Sequence, residues 1–242
     1  MAGAIVNPYA VTPGQLSYED ECKADSPLGL WMLDETSGTV AADQGSVGQD
    51  GDYGTTYTPT LNDQTIFGLV SPKWFNGDNV SVINDAGFNN DHTGLTGTAT
   101  WEFLVNSDDI TGFQWLYYWR GPVYIYFSGS GLVVAIKDTA DAQVMTVTDS
   151  TTSFTSDTDY HIVVTYDRAA PNLEIWVNGV STATSTTVDA GRVTVAASIE
   201  LNFGNSSDTG GGWIQGGLCG VAFYSQVLSD ARIADHYAAL TA

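Results

Sequence analysis

The sequence predicts an all-β fold: a two-sheet antiparallel β-sandwich with an extended N-terminal arm and a short C-terminal helix. Three observations predict it. The 242 residues are 43% hydrophobic, 12% aromatic and only 14% charged, with Thr, Ser, Gly and rings prominent, which suits pleated, half-buried surfaces. Runs of β-branched and aromatic residues recur with turn residues about every eight to twelve positions, the spacing of a sandwich. Finally, Tyr160 to Ala183 contains two strand-like runs, His161 to Tyr166 and Leu173 to Val177, followed by Asn178-Gly179. Both residues of that pair tolerate positive φ, the strongest short-range signal for a two-residue hairpin, here folding Val180 to Ala183 back.

Residues 1 to 17 carry Pro8, Pro13 and two glycines without periodicity, so an extended arm is expected. Tyr18 to Ala24 reads as a short helix and is grouped with the arm, giving a docking segment 1–23 and a single domain 24–242; no Pro-rich or Gly/Ser-rich linker divides the latter. Leu28 to Leu33 is a short strand followed by Gly, Asp and Ser turns. Phe75 to Val80 reads as a turn leading into a strand. Further strands follow at Thr100–Val105, Trp115–Arg120, Val123–Phe127, Leu132–Ile136, Val144–Thr148, Ile199–Gly204 and Gly217–Tyr224. Ser229 is placed to cap a helix through Tyr237, with Ile233, Tyr237 and Leu240 on one face.

Three strings carry a family resemblance. YHIVVTYD with LEIWVNG resembles the core hairpin of laminin G-like and pentraxin-like domains, a concanavalin A-type jelly roll, with Asp159 where that pattern has Trp. The string ADSPLGLWMLDETSGTVAADQGSVGQDGDYG, residues 24–54, is similar to the opening of laminin G-like domains in minor tail proteins of actinobacteriophages. It agrees at Asp25, Pro27, Trp31, Glu35, Asp43, Asp50 and Tyr53 among others. The closing stretch through His236-Tyr237 resembles the family's end, with Cys219-Gly220 in place of an Asp-Glu pair. The resemblance covers about residues 24–240. It implies a virion protein assembled in the host cytoplasm, docked to other virion proteins through residues 1–17. It also implies further copies on the particle and host wall glycans as ligands, or alternatively a capsid or tail decoration protein that binds no sugar.

Formal charge is −21, with 7 Lys plus Arg against 28 Asp plus Glu, which argues against nucleic acid and anionic membranes. The N-terminus has neither the basic nor the apolar region of a secretory signal, and no apolar run approaches the roughly 20 residues of a spanning helix. Cys22 and Cys219 fit no metal or redox spacing; free thiols are expected, with a bridge left open should the first and last strands be neighbours.

Catalytic chemistry finds no constellation. None of the six glutamates has an acidic residue two or four places on along a strand, as a carboxylate pair for glycoside hydrolysis would need. His92, His161 and His236 sit in no nucleophile motif and are read as structural. Ser206 to Trp213 nearly spells an Asp-box and is read as a hairpin connection. Asp43, Asp50 and Asp52 lie in a turn-rich loop of the kind that can bind Ca²⁺, with solvated turn aspartates as the competing reading. For sugar, the candidates are Trp115, Tyr117, Trp119, Tyr124 and Tyr126, because pyranose faces stack on flat rings. Strict alternation places Trp115, Tyr117 and Trp119 on one face and Leu116 and Tyr118 on the other, one set in the core and one outside.

Overall fold

The computed structural model describes residues 16–53, 59–74, 80–82, 97–119, 123–129, 131–137, 143–187, 201–205 and 212–242. The arm through residue 15, the Phe75–Asn79 turn and the Asp-box-like Ser206–Gly211 lie outside them. In chain order the elements are α1 (Tyr18–Ala24), β1 (Gly29–Trp31), β2 (Val40–Ala41), β3 (Gly51–Tyr53), β4 (Thr60–Ile66), β5 (Leu69–Trp74), β6 (Val80–Val82), β7 (Thr98–Ser107) and β8 (Gln114–Trp119). There follow β9 (Val123–Ser128), β10 (Gly131–Lys137), β11 (Gln143–Asp149), β12 (Tyr160–Asp167), β13 (Asn172–Val177), β14 (Val180–Ser185), β15 (Leu201–Phe203), β16 (Gly216–Tyr224) and α2 (Asp230–Leu240).

All pairings are antiparallel. One sheet runs β14-β13-β12-β7-β16-β5-β4, with β1 also on β16; the other runs β11-β10-β9-β8-β15-β6-β3-β2. Their inner faces form one core, where Trp101 and Phe103 of β7 meet Tyr117 of β8 and Trp31 of β1 meets Phe203 of β15. This is the expected sandwich.

The Asn178-Gly179 hairpin forms as expected: Val177 pairs with Val180, and φ is 52° and 74° at the two turn residues. A second hairpin escaped the sequence reading. β4 and β5 join through Phe67-Gly68, whose φ values of 49° and 79° make the same kind of turn. Phenylalanine is poor turn chemistry, and Asp159 supplies what it lacks: its Oδ2 accepts the Phe67 amide at 2.7 Å and its Oδ1 accepts from Asn106 Nδ2 at 2.5 Å. The Asp that departs from the family's Trp thus secures a turn 92 residues away in sequence.

At Gly220 the central strand bulges, the register shifting between Cys219 and Ala222. Below the bulge Gly216 and Gly217 pair with β5; above it Val221 to Phe223 pair with β1. Gly220 has φ of 56°, and a Cβ there would lie 2.9 Å from the Tyr18 ring and 3.0 Å from Leu104. Only glycine satisfies both demands. Cys22 and Cys219 are buried free thiols.

The helix α1, grouped with the arm on sequence, packs against the sandwich: Tyr18 and Cys22 belong to the core, and Arg232 of α2 bonds Glu21 and Asp25. Ser17 and Ser229 cap the two helices through Asp20 N and Arg232 N. No helix among the described residues is long and apolar enough to cross a membrane.

Candidate functional site

The aromatic strands β8 and β9 adjoin in the second sheet. On β9, Val123, Ile125 and Phe127 are fully buried, whereas Tyr124 and Tyr126 alternate with them, half-buried, on the outer face. On β8 the alternation breaks. Trp115 pairs with Tyr126, and Tyr117 pairs with Ile125, leaving Leu116 as an extra residue. This β-bulge inverts the strand's facing from that point on, and the Leu116 carbonyl is satisfied by Gly204 N at 3.2 Å. The expected common face of Trp115, Tyr117 and Trp119 is therefore incorrect. Tyr117 is wholly buried against Trp101, Phe103 and Phe203, and burial pushes its phenol well above the ordinary range. Trp119 pairs in the backbone ladder with Val123 and Leu201; its side chain lies outside the described residues. In place of these two, Tyr118 joins Trp115, and neither belongs to the inter-sheet core.

The outer face thus carries Trp115, Tyr118, Tyr124, Tyr126 and Phe113. Tyr118 and Tyr124 stack with ring centroids 5.0 Å apart and planes at 10°. Trp115 meets Tyr118, Tyr124, Tyr126 and Phe113 edge-on at 4.9, 5.5, 5.0 and 4.8 Å. Lys137 Nζ sits 4.3 Å above the Tyr124 ring, a cation–π contact. Phe113 is 43% exposed, and Tyr124 and Tyr126 are half-buried. Gly212 lies against Phe113 and Trp115, where a Cβ would come within 2.5 Å of the Phe113 ring. Trp115 Nε1 has no hydrogen-bond partner among the described residues. Phe113 and Tyr118 were not expected in this group; a count of period two cannot register an inserted residue.

The three loop aspartates do different work. Asp43 accepts the Leu30 and Gly45 amides on Oδ1 at 2.8 and 2.7 Å and the Gln49 amide on Oδ2 at 2.7 Å; burial raises its pKa against those bonds. Asp50 Oδ1 accepts the Asp43 amide at 2.9 Å, and Asp52 belongs to β3. Asp43, Asp50 and Asp52 do not converge within 4.8 Å of one another as a group of three. A calcium ion wants six to eight oxygens; here both Asp43 carboxylate oxygens are spent on three backbone amides, which makes Asp43 the knot of the loop.

The convergence of chemistry-bearing groups lies elsewhere, beneath the two helices. Glu102 of β7 is fully buried, and His161 Nε2 lies 2.6 Å from its Oε1. Tyr224 OH donates to its Oε2 at 3.1 Å, and His236 Nδ1 stands 3.0 and 3.1 Å from its two oxygens. His236 Nε2 faces Asp25 at 2.9 Å, and Arg232 bonds Asp25 in turn. With a carboxylate at each nitrogen, His236 is held as imidazolium. Burial alone would lower its pKa, but Glu102 and Asp25 outweigh it and raise it. Burial alone would raise that of Glu102, but the His236 charge and the bonds from both histidines hold it well below the usual carboxylate range. Cys22 Sγ, Glu102 and His236 offer ligand atoms within 4.8 Å of one another. Because both His236 nitrogens are engaged by carboxylates, the cluster is satisfied as an ion pair, and burial pushes the Cys22 thiol well up. It ties α1 and α2 to the sheet. His161 and His236 are thus both buried and engaged in this cluster, while His92 lies outside the described residues.

Solved structures of the same fold include the receptor-binding domain of botulinum neurotoxin C/D mosaic serotype (TM-score 0.63, 13% identity, 88% of this chain and 51% of that one). The binding domain of Paraclostridial Mosquitocidal Protein 1 aligns with TM-score 0.66 and 12% identity over 88% and 52%. The binding domain of botulinum neurotoxin DC in complex with SialylT aligns with TM-score 0.65 and 12% identity over 89% and 52%. The chain spans about half the length of these proteins, and at such identities the likeness is one of fold. No curated protein matches. The family model described as "Concanavalin A-like lectin/glucanases superfamily" matches residues 73–234. With that match over well more than half its length, and with the two-sheet antiparallel architecture around it, the chain belongs to the concanavalin A-like lectin/glucanase superfamily.

Proposed function

We propose that this protein is a non-enzymatic, lectin-like virion component, a minor tail protein of an actinobacteriophage present in several copies, that binds host wall glycans on the outer face of its second sheet. The observation that carries the binding reading is the ring cluster there. A sandwich buries one face of each sheet, yet the outer face of β8 and β9 holds Trp115, Tyr118, Tyr124 and Tyr126 with Phe113 at their end. Half-buried tyrosines offer a flat apolar face and a hydroxyl together, which is what sugar recognition uses. The tail assignment rests on the resemblance of residues 24–54 to phage tail domains. The non-enzymatic reading rests on the lack of a strand-borne carboxylate pair and on Glu102 being buried and engaged.

One observation favours a second reading, a capsid or tail decoration protein anchored by residues 1–17 without sugar binding. Trp115 and Tyr118 are only 5% and 4% exposed, their faces taken up by neighbouring rings. An array of actinobacterial wall glycans separates the two. Binding that falls at least about tenfold in Tyr124→Ala and Tyr126→Ala supports the lectin reading; silence of the wild-type protein refutes it and favours decoration. Deleting Met1 to Ser17 tests docking: particles that still incorporate the truncated protein remove the arm's role.

A further inference from the structure

The outer face of the second sheet continues past the rings. The ladder sets Trp115 beside Tyr126, Tyr126 beside Val133 and Val133 beside Thr148; one row further on it sets Ser128 beside Gly131. At that end lies an open cleft of about 350 Å³. The hydroxyl-bearing residues Ser128, Thr148, Ser150, Thr152 and Ser153 line it, together with Phe154. Gly129 and Gly131 complete the lining without side chains. Among the described residues that line it, none carries a charge.

The wall is held in advance. Asp149 is buried and its carboxylate accepts the amides and hydroxyls of Thr151 and Thr152. Burial opposes its ionisation, yet those bonds pull its pKa down to about 2. Phe154 is fixed between Phe127 and Tyr160 at 5.1 and 5.0 Å. With the Thr152 hydroxyl hydrogen given to Asp149, its oxygen is left as an acceptor, while the hydroxyls of exposed Ser128, Ser150 and Ser153 can rotate to serve as donor or acceptor. A volume near the lower end of small-molecule sites, roughly 300–1,000 Å³, suits one or two sugar rings.

We infer that this cleft is the terminal subsite of the glycan site, taking an uncharged sugar residue whose remaining chain runs over Tyr126 toward Tyr124. Tyr126 stands two residues from Ser128, about 7 Å along the strand. The inference rests on the lectin reading above and adds a specificity to it. An anionic terminus, such as a sialic acid, would enter a cleft whose described lining holds no cation, on a protein of formal charge −21; the described lining does nothing to offset that repulsion.

The test is calorimetric titration of the full chain with neutral oligosaccharides selected on the array and with their sialylated counterparts, using the wild type, Ser150→Ala/Ser153→Ala and Tyr126→Ala. Expected is binding of neutral forms only, and about a tenfold loss in the double serine variant with its melting temperature unchanged, the effect of losing two hydrogen bonds at an exposed rim. Unchanged affinity in the double serine variant alongside a loss in Tyr126→Ala would overturn the cleft and leave the aromatic face standing. Equal or tighter binding of sialylated forms would overturn the specificity. Failure of every glycan to bind would overturn both the subsite and the lectin reading.

Discussion

Replacing Glu102 with Gln keeps the shape of the side chain and removes the charge on which the helices are pinned. In the native protein that carboxylate receives His161, both contacts of His236, and Tyr224, all within 3.1 Å and out of contact with water. Without it the imidazolium of His236 keeps Asp25 alone. Breaking a buried ion pair by removing one partner costs about 3–5 kcal/mol, a large part of the about 5–15 kcal/mol that holds a domain together. At about 2–4 °C per kcal/mol for a chain of this size, Tm should fall by roughly 6–20 °C. Urea unfolding followed by the emission of the seven tryptophans measures the loss.

Its pH dependence has a definite sign. The raised pKa of His236 means that its contribution is complete below the ordinary histidine value of 6.5 and is lost as pH rises through the folded-state value. The depressed pKa of Glu102 means that its contribution is complete above the ordinary value of 4.5 and is lost as pH falls through its folded-state value. The difference between wild type and Glu102→Gln should therefore be widest from pH 5 to 6 and shrink in alkali. A loss below about 1 kcal/mol at pH 6, or a loss that does not change between pH 6 and pH 10, would refute the assignment of His236 as a buried cation.

Other outcomes follow from single contacts. Asp159→Ala releases the Phe67 amide and Asn106 and should cost about 1–3 kcal/mol by urea unfolding, with amide exchange rising first at Phe67. Gly179→Ala forces a side chain into φ of 74° against the Tyr237 ring 3.2 Å away, and should lower stability by about 1 kcal/mol or more. Asp149→Asn should flatten the acid limb of the stability profile, because the native carboxylate, with its pKa near 2, contributes above the ordinary aspartate value of 3.8 and loses that contribution only as pH falls through about 2. Deleting Leu116 leaves Trp115, Tyr117 and Tyr118 opposite Tyr126, Ile125 and Tyr124 in unbroken alternation, so the folded near-ultraviolet tryptophan signal should persist while urea unfolding shows a loss of about 2–5 kcal/mol for the missing buried side chain.

Local chemistry made much of the architecture readable. Asn178-Gly179, the Ser229 cap and the alternation of Val123 to Phe127 each act within a few residues, and each element stands where those signals place it. The β4–β5 hairpin was not readable, because its turn depends on Asp159 and not on its own Phe67. The aromatic face was half readable: ring content marks β8 and β9, but Leu116 carries no mark that makes it the extra residue. The buried cluster joins residues up to 214 apart in sequence. A sign of it did exist: Glu102 and His161 interrupt otherwise apolar central strands, and a carboxylate in such a place needs a cationic partner, of which this acidic chain has few.

The single additional residue at position 116 separates two jobs along one strand. Before it Trp115, and after it Tyr118, stand on the outer face three positions apart, covered by neighbouring rings, while Leu116 and Tyr117 both turn to the interior. Side chains at 115 and 118 therefore pack within the outer ring cluster and take no part in the core between the layers. One inserted residue thus lets a single short ribbon serve two separate sets of rings, one that joins the layers and one that covers the sheet from outside.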